Sequence, residues 1–96
     1  NVFWTDNAKT HLRDIYNYIS LHSEQYAKRT VDRITKTSGQ IAAFPLSGRK
    51  VSKYNLEQIR EVIEKPYRII YYIKQDQIDI LAVVHCSMNI IPPQEY

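Results

Sequence analysis

Arg60 and Arg68 each interrupt an apolar segment that is rich in β-branched and aromatic residues. Burying a guanidinium group without a partner is costly, so an arginine inside a strand usually has a carboxylate or a ligand beside it. Each arginine therefore has two possible roles: contact with another macromolecule, or an ion pair within the sheet. Glu57 and Asp79 are the candidate internal partners for Arg68.

A basic loop precedes these segments. Residues 48–53 contain Arg49, Lys50 and Lys53 beside Gly48. Three cations next to a flexible glycine could contact phosphates. A solvated loop is the commoner outcome for such a segment. The mild net charge of +3 is compatible with a polyanionic target or an acidic partner, and decides neither.

Glu61 alternates with its neighbours in a way that limits its role. It shares parity with Ile59 and Ile63, so it points to the same face as they do, and away from Arg60. If that face is the core, Glu61 requires a buried ion pair. His85 ends an apolar segment, where a structural histidine is commoner than a catalytic one. Tyr72 is expected to pack at the rim, although a tyrosine there could stack on a base.

Two amphipathic helices are predicted ahead of the strands. Apolar residues recur at spacings of three and four up to about residue 21, and again over residues 24–44. Thr5 or Asp6 can cap the first helix and Ser23 the second, because their side-chain oxygens accept hydrogen bonds from first-turn amides. The short connection between the helices predicts an antiparallel hairpin.

Three strands are predicted at residues 56–64, 67–74 and 78–84, separated by short turns, with a further strand at residues 1–5. The element order is therefore β-α-α-β-β-β. This order predicts an α+β fold in which the helix hairpin packs on one face of a small, mainly antiparallel sheet. Surplus polar side chains must then lie on the opposite face or at its rim.

Composition narrows the class of protein. Ninety-six residues are expected to form one domain, residues 1–96. The single cysteine makes the cytoplasm the default compartment, and no apolar run approaches the ~20 residues that span a bilayer. The three histidines are scattered, so no metal or other cofactor is implied.

At this order of elements the chain resembles the RelE/ParE superfamily of toxins from type II toxin–antitoxin modules. The matching pieces, in order, are Trp4-Thr5 with Ala8 and Leu12, Ile15 with Tyr18-Ile19, Tyr26-Ala27, Ile34, Pro45 with Gly48-Arg49-Lys50-Val51, Ile59-Arg60-Glu61, Tyr67-Arg68-Ile69-Ile70-Tyr71, and Ile80-Leu81 with Val84-His85. The Gly-Arg-x-Val loop, followed by Ile-Arg-Glu and Tyr-Arg-Ile-Ile-Tyr, is closer to the ParE branch.

The resemblance implies three possible functions. A ParE-like toxin of a plasmid-stabilisation type would poison DNA gyrase without being an enzyme. A RelE-like toxin would cut mRNA on the ribosome. In that case Arg60 and Arg68 would clamp the phosphate, Glu61 would be the base and His85 the acid. The third possibility is a non-toxic homologue that only holds its antitoxin.

The gyrase-directed reading is the one we favour from the sequence. Its expected target-binding residues are Arg49, Lys50, Lys53, Arg60, Arg68 and Tyr72. Many relatives carry an arginine where this chain has Met88, and Tyr96 is at most a relic of a catalytic tyrosine; both features lower the expectation of a nuclease. The resemblance also implies a cognate antitoxin, with apolar anchors in grooves beside the helices.

Overall fold

A computed structural model describes residues 1–51, 53, 54 and 56–87. The expectations for Met88 and Tyr96 therefore lie outside the described residues. The elements in chain order are β1 (Val2–Trp4), α1 (Asp6–Ser20), α2 (Glu24–Ala43), a short 3-10 helix (Pro45–Ser47), β2 (Arg49–Lys50), β3 (Ile59–Glu64), β4 (Tyr67–Ile73) and β5 (Ile78–His85). The predicted α+β class is confirmed.

The strands form one five-stranded sheet with the order β1-β5-β4-β3-β2. The three strands of the second half pair antiparallel as consecutive neighbours, and β2 adds antiparallel to β3. The first strand joins β5 in parallel, and the helix hairpin that follows it leads the chain to β2 at the opposite edge of the sheet. The mainly antiparallel character of the sheet is as predicted.

Both helices begin at the predicted caps. The hydroxyl of Thr5 accepts a hydrogen bond from the Ala8 amide at 3.2 Å, and it donates to the carbonyl of Ile80 at 2.8 Å. The hydroxyl of Ser23 accepts one from the Tyr26 amide at 3.1 Å. The cap of α1 thus also fixes the start of that helix against β5.

The sheet carries an apolar cluster on each face. The helix side holds the larger one, formed by buried residues of both helices and of β4 and β5: Ala8, Ile34, Ile41, Ile69, Tyr71, Ile78, Ile80 and Val83. The other side, called here the distal face, holds a smaller one formed by Val51, Ile59, Ile70 and Leu81. The distal face is therefore a second, partly buried surface that can also hold polar side chains.

Two local predictions differ from the structure. Arg49 and Lys50, expected in a loop, form the edge strand β2 by pairing with Glu61 and Arg60. A two-residue strand is too short to show an alternating pattern, so its only signal is the partner strand. The next strand begins at Ile59 rather than at residue 56, because the Ile59 amide turns back to the carbonyl of Leu56 at 3.4 Å.

Candidate functional site

Glu61 lies at the centre of a charged group on the distal face. It is 5% exposed, and its Oε2 accepts a hydrogen bond from Arg49 Nε at 2.6 Å. Its Oε1 faces Arg68 Nη1 at 3.5 Å, and the Arg68 side chain is 17% exposed. Arg49 reaches Glu61 because the two residues are direct cross-strand partners. The arrangement is a buried carboxylate between two guanidinium groups.

Arg60 points away from this group. It is paired with Tyr71, whose side chain belongs to the helix-side cluster, so Arg60 shares the helix side of the sheet. Its Nε donates to the carbonyl of Glu57 at 3.1 Å, and its Nη1 donates to the carbonyl of Gly48 at 3.0 Å. Arg60 therefore connects the segment before β3 to the turn before β2 through backbone carbonyls.

Tyr71 also binds the backbone of the turn before β2. Its hydroxyl donates to the carbonyl of Pro45 at 2.7 Å and accepts from the Gly48 amide at 3.0 Å. Burial raises the pKa of Tyr71, and the hydrogen bond from Gly48 and the charge of Arg60 partly oppose that rise. The phenol is therefore neutral at physiological pH and acts as a fixed hydrogen-bonding post.

His85 lies at the opposite end of the sheet. Its ring meets Tyr67 edge-on, with centroids 5.8 Å apart, and its Nδ1 interacts with the hydroxyl of Ser87 at 2.8 Å. It lines a cavity of about 330 Å³ beside α1, together with His11 and Asp14. From Glu61 it is three residues along the sheet and two strands across, which corresponds to roughly 10 Å in each direction.

The four residues predicted to be catalytic in a RelE-like nuclease are thus distributed over both faces of the sheet. Glu61 and Arg68 are adjacent on the distal face. Arg60 is on the helix side, and His85 is on the helix side at the far end of the strands. Acid and base catalysis at one phosphate needs both groups within hydrogen-bonding reach of the same substrate. Among the described residues, these four do not form such a constellation.

The remaining predicted target-binding residues lie around the edge strand and the distal face. Lys50 Nζ binds Glu57 Oε1 at 3.0 Å in an exposed pair, and this contact lowers the pKa of Glu57. Lys53 is exposed. Tyr72 is half-buried against the smaller cluster. The expected partners of Arg68 are occupied elsewhere, since Glu57 binds Lys50, and Asp79 binds Lys74 at 2.7 Å.

An apolar groove between α1, α2 and β1 is a second candidate site. It has a volume of about 510 Å³, and its lining is formed by Trp4, Lys9, Leu12, Arg13, Tyr16, Val31 and Thr35. Trp4 lines this groove and is half-buried against the helix-side cluster. Periodicity alone does not separate helix residues that line a groove from helix residues that pack in the core.

Two exposed apolar residues after α2 belong to no motif of the sequence. Phe44 and Leu46 are 69% and 71% exposed.

No group of three or more metal-ligating side chains occurs within the described part of the chain. None of its helices is long and apolar enough to cross a bilayer.

Comparison with known proteins places this geometry in a family. Residues 2–90 match the model of the ParE toxin of the type II toxin–antitoxin system, parDE. A candidate toxin, Y4kP of Sinorhizobium fredii (strain NBRC 101917 / NGR234), is 34% identical over 88 residues, covering 90% of this chain and 88% of that protein.

A solved structure has the same fold. It is described as the chromosomal ParDE TA system from P. aeruginosa, with a TM-score of 0.74 at 23% identity, covering 88% of this chain and 94% of that one. The two chains thus share the architecture of two helices on an open mixed sheet. The chain belongs to the ParE toxin family of type II toxin–antitoxin systems, as the resemblance implied.

Proposed function

We propose that this toxin inhibits DNA gyrase by binding, in the cytoplasm, and that a cognate antitoxin neutralises it. The observation that carries the proposal is the separation of Glu61 from His85 on opposite faces of the sheet. A ribosome-dependent nuclease would need a base and an acid on either side of one scissile phosphate. Binding without chemistry requires no such convergence.

The state of Glu61 supports the same proposal. Both carboxylate oxygens face guanidinium groups, Oε2 at 2.6 Å and Oε1 at 3.5 Å, and the residue is 5% exposed. A carboxylate that is buried, with both oxygens directed at guanidinium groups, is shielded from a substrate hydroxyl. Its role is to hold Arg49 and Arg68 on the distal face.

The edge strand supplies the exposed cations for a target. The side chains of Arg49 and Lys50 are 69% and 57% exposed, and Lys53 is exposed as well. Arg68 and Tyr72 extend the candidate surface onto the distal face. Arg60 lies on the helix side and holds the backbone before β2 through its hydrogen bond to the Gly48 carbonyl. We assign target contact to Arg49, Lys50, Lys53, Arg68 and Tyr72. We assign to Arg60 the role of positioning the backbone before β2.

The groove beside the helices suits an antitoxin. Its lining combines the apolar residues Trp4, Leu12 and Val31 with two exposed cations, Lys9 and Arg13. An amphipathic segment with apolar anchors and acidic flanks would bury the former and pair with the latter. Antitoxin and target would then use different surfaces of the same toxin.

Two assays separate the possibilities. Purified toxin is added to a gyrase supercoiling reaction and to a translation extract whose mRNA is mapped for cuts. The proposal predicts inhibited supercoiling with intact mRNA, and relief by antitoxin. Cleaved mRNA with normal supercoiling contradicts it, and inactivity in both assays with tight antitoxin binding indicates a non-toxic homologue.

A pair of variants locates the contact. Arg49→Gln with Lys50→Gln removes two exposed cations from the edge strand and is expected to reduce gyrase inhibition about tenfold. Lys28→Gln with Lys36→Gln removes two exposed cations from α2 and serves as the matched control. Equal inhibition by both pairs would remove the edge strand from the target surface.

A further inference from the structure

The corner between α2 and the edge strand exposes two large apolar side chains beside two cations. Phe44 and Leu46 are 69% and 71% exposed, and the side chains of Arg49 and Lys50 are 69% and 57% exposed. All four belong to residues 44–50, called here the β2 corner. Exposed apolar residues scattered singly need no explanation, but these two share one short segment with a basic edge.

The backbone of the β2 corner is fixed from the inside. The Tyr71 hydroxyl bonds the Pro45 carbonyl at 2.7 Å and the Gly48 amide at 3.0 Å, and Arg60 Nη1 donates to the Gly48 carbonyl at 3.0 Å. A side chain at position 48 would collide with the Tyr71 hydroxyl. Phe44 and Leu46 are therefore presented by a preorganised backbone, which lowers the entropic cost of binding through them.

Charge at the β2 corner is asymmetric. Residues 44–50 contain the cations Arg49 and Lys50 and no carboxylate, and the nearby Lys53 adds a further exposed cation. Arg49 uses its Nε on Glu61 at 2.6 Å, which leaves the terminal amino groups of an exposed guanidinium to donate to a further carboxylate. The excess positive charge favours an acidic partner surface.

We propose that the β2 corner docks onto a protein surface in which an apolar cleft is bordered by carboxylates. Aromatic, aliphatic and arginine side chains are typical of the energetic centre of a protein–protein interface, and the β2 corner exposes all three kinds on one short, hydrogen-bonded segment. Contacts to a DNA backbone are more polar and cationic, and they would leave Phe44 and Leu46 in water. The inference rests on the proposed function, so the partner surface belongs to gyrase.

The test removes the apolar anchors and keeps the charges. Phe44→Ser with Leu46→Ser changes only exposed side chains, so the unfolding midpoint should stay unchanged. Binding to immobilised gyrase without DNA should weaken about tenfold or more, and inhibition of supercoiling should fall in parallel. The association rate of Lys50→Glu with Lys53→Glu should drop, and the difference from wild type should shrink as salt increases.

A matched control removes equally exposed apolar area at the other end of the molecule. Tyr18 and Leu21 are 71% and 77% exposed, and they precede α2, whereas Phe44 follows it. The 20 residues of that helix separate the two ends by about 30 Å. Tyr18→Ser with Leu21→Ser should bind gyrase within about twofold of wild type.

The outcomes distinguish this inference from the proposed function. If wild type inhibits gyrase and Phe44→Ser with Leu46→Ser inhibits equally well, the docking surface is wrong and the function stands. If wild type neither binds nor inhibits gyrase, both are wrong. Binding of wild type to gyrase that occurs only with DNA present would assign the β2 corner to nucleic acid. If Phe44→Ser with Leu46→Ser loses self-association but binds gyrase normally, the β2 corner contacts a second copy of the chain. Both results overturn the proposal.

Discussion

Arg49 and Glu61 face each other across the shortest strand pair of the sheet, with Nε and Oε2 2.6 Å apart. One partner is 69% exposed and the other 5%. The pair therefore connects a buried carboxylate to the solvent-facing edge of the molecule. It also orients Arg49, whose guanidinium lies at the surface that we assign to the target.

Replacing Glu61 by Gln should destabilise the fold. The change removes the negative charge that Arg49 and Arg68 both face, and Arg68 is largely buried. Breaking a buried ion pair by removing one charge costs about 2–4 kcal/mol when one partner retains access to water. Urea unfolding monitored by circular dichroism measures the free energy of unfolding directly.

The control for this change is Glu57→Gln, which removes an exposed carboxylate from the connection just before β3. Its midpoint should coincide with wild type, because an exposed ion pair contributes little. A Glu61→Gln variant as stable as the Glu57→Gln variant would show that the buried pair makes no net contribution.

The two glycines should respond oppositely to alanine. A Cβ at position 48 would lie 2.7 Å from the Glu61 carbonyl and collide with the Tyr71 hydroxyl, so Gly48→Ala should cost about 1–3 kcal/mol. Position 39 lies within α2 with nothing inside 4 Å of the added carbon. There alanine should stabilise the protein by about 1 kcal/mol, because glycine is a poor helix former.

Thermal unfolding of the two single variants checks both signs. A Gly48→Ala midpoint at or above that of wild type would mean that the corner is not closely packed around position 48.

Stability should fall in alkaline solution, and Tyr71 should contribute to the fall. Burial raises the pKa of Tyr71, so the folded state holds the phenolic proton more tightly than the unfolded state does. The resulting contribution is fully present below the unfolded pKa of about 10, and it is lost as pH rises from there through the folded pKa. Burial is also the main cause that raises the pKa of Tyr54 and of Tyr67.

The measurement is the free energy of unfolding between neutral pH and pH about 11, for wild type and Tyr71→Phe. The variant should be less stable at neutral pH by about 1–3 kcal/mol, because the Pro45 carbonyl and the Gly48 amide lose their partner. The free energy of unfolding of the variant should decline less steeply with pH. Tyr18→Phe, at an exposed position, should follow the wild-type curve. Parallel curves for wild type and Tyr71→Phe would show that Tyr71 does not contribute to the alkaline loss of stability.

Filling the helix groove should weaken antitoxin binding without unfolding the toxin. Thr35 is an exposed groove residue on α2, and Thr35→Arg adds a long cationic side chain there. The affinity for antitoxin should fall about tenfold, because apolar anchors lose their site. Titration calorimetry measures the change, and Gln25→Arg, an exposed position of the same helix outside the groove, is the control. Equal affinities for both variants would place the antitoxin elsewhere.

Much of the fold could be predicted from local signals. Thr5 and Ser23 each offered a cap oxygen just before an apolar stripe, and both cap the predicted helices. The alternation around Glu61 also showed that this carboxylate would need a buried partner if its face were covered. Those signals depend only on spacing along the chain.

The identity of the partners depended on register and could not be read locally. The two-residue turn pairs Glu64 with Tyr67, so every even position of β3 opposes an odd position of β4. Arg60 and Arg68 consequently point to opposite faces, although their shared residue type suggested one joint site. An irregularity between Ile70 and Tyr71 then shifts the register with β5, which no alternating pattern reveals.

The most direct test of a binding toxin without a catalytic site is the accumulation of cleaved DNA bound to gyrase. Gyrase and supercoiled plasmid are incubated with increasing toxin, and the complexes are then opened with detergent and protease. Binding-type poisoning predicts that linear plasmid increases with toxin and returns to background when antitoxin is added, while ribosome-bound mRNA stays intact. Unchanged plasmid together with cut mRNA would contradict the account.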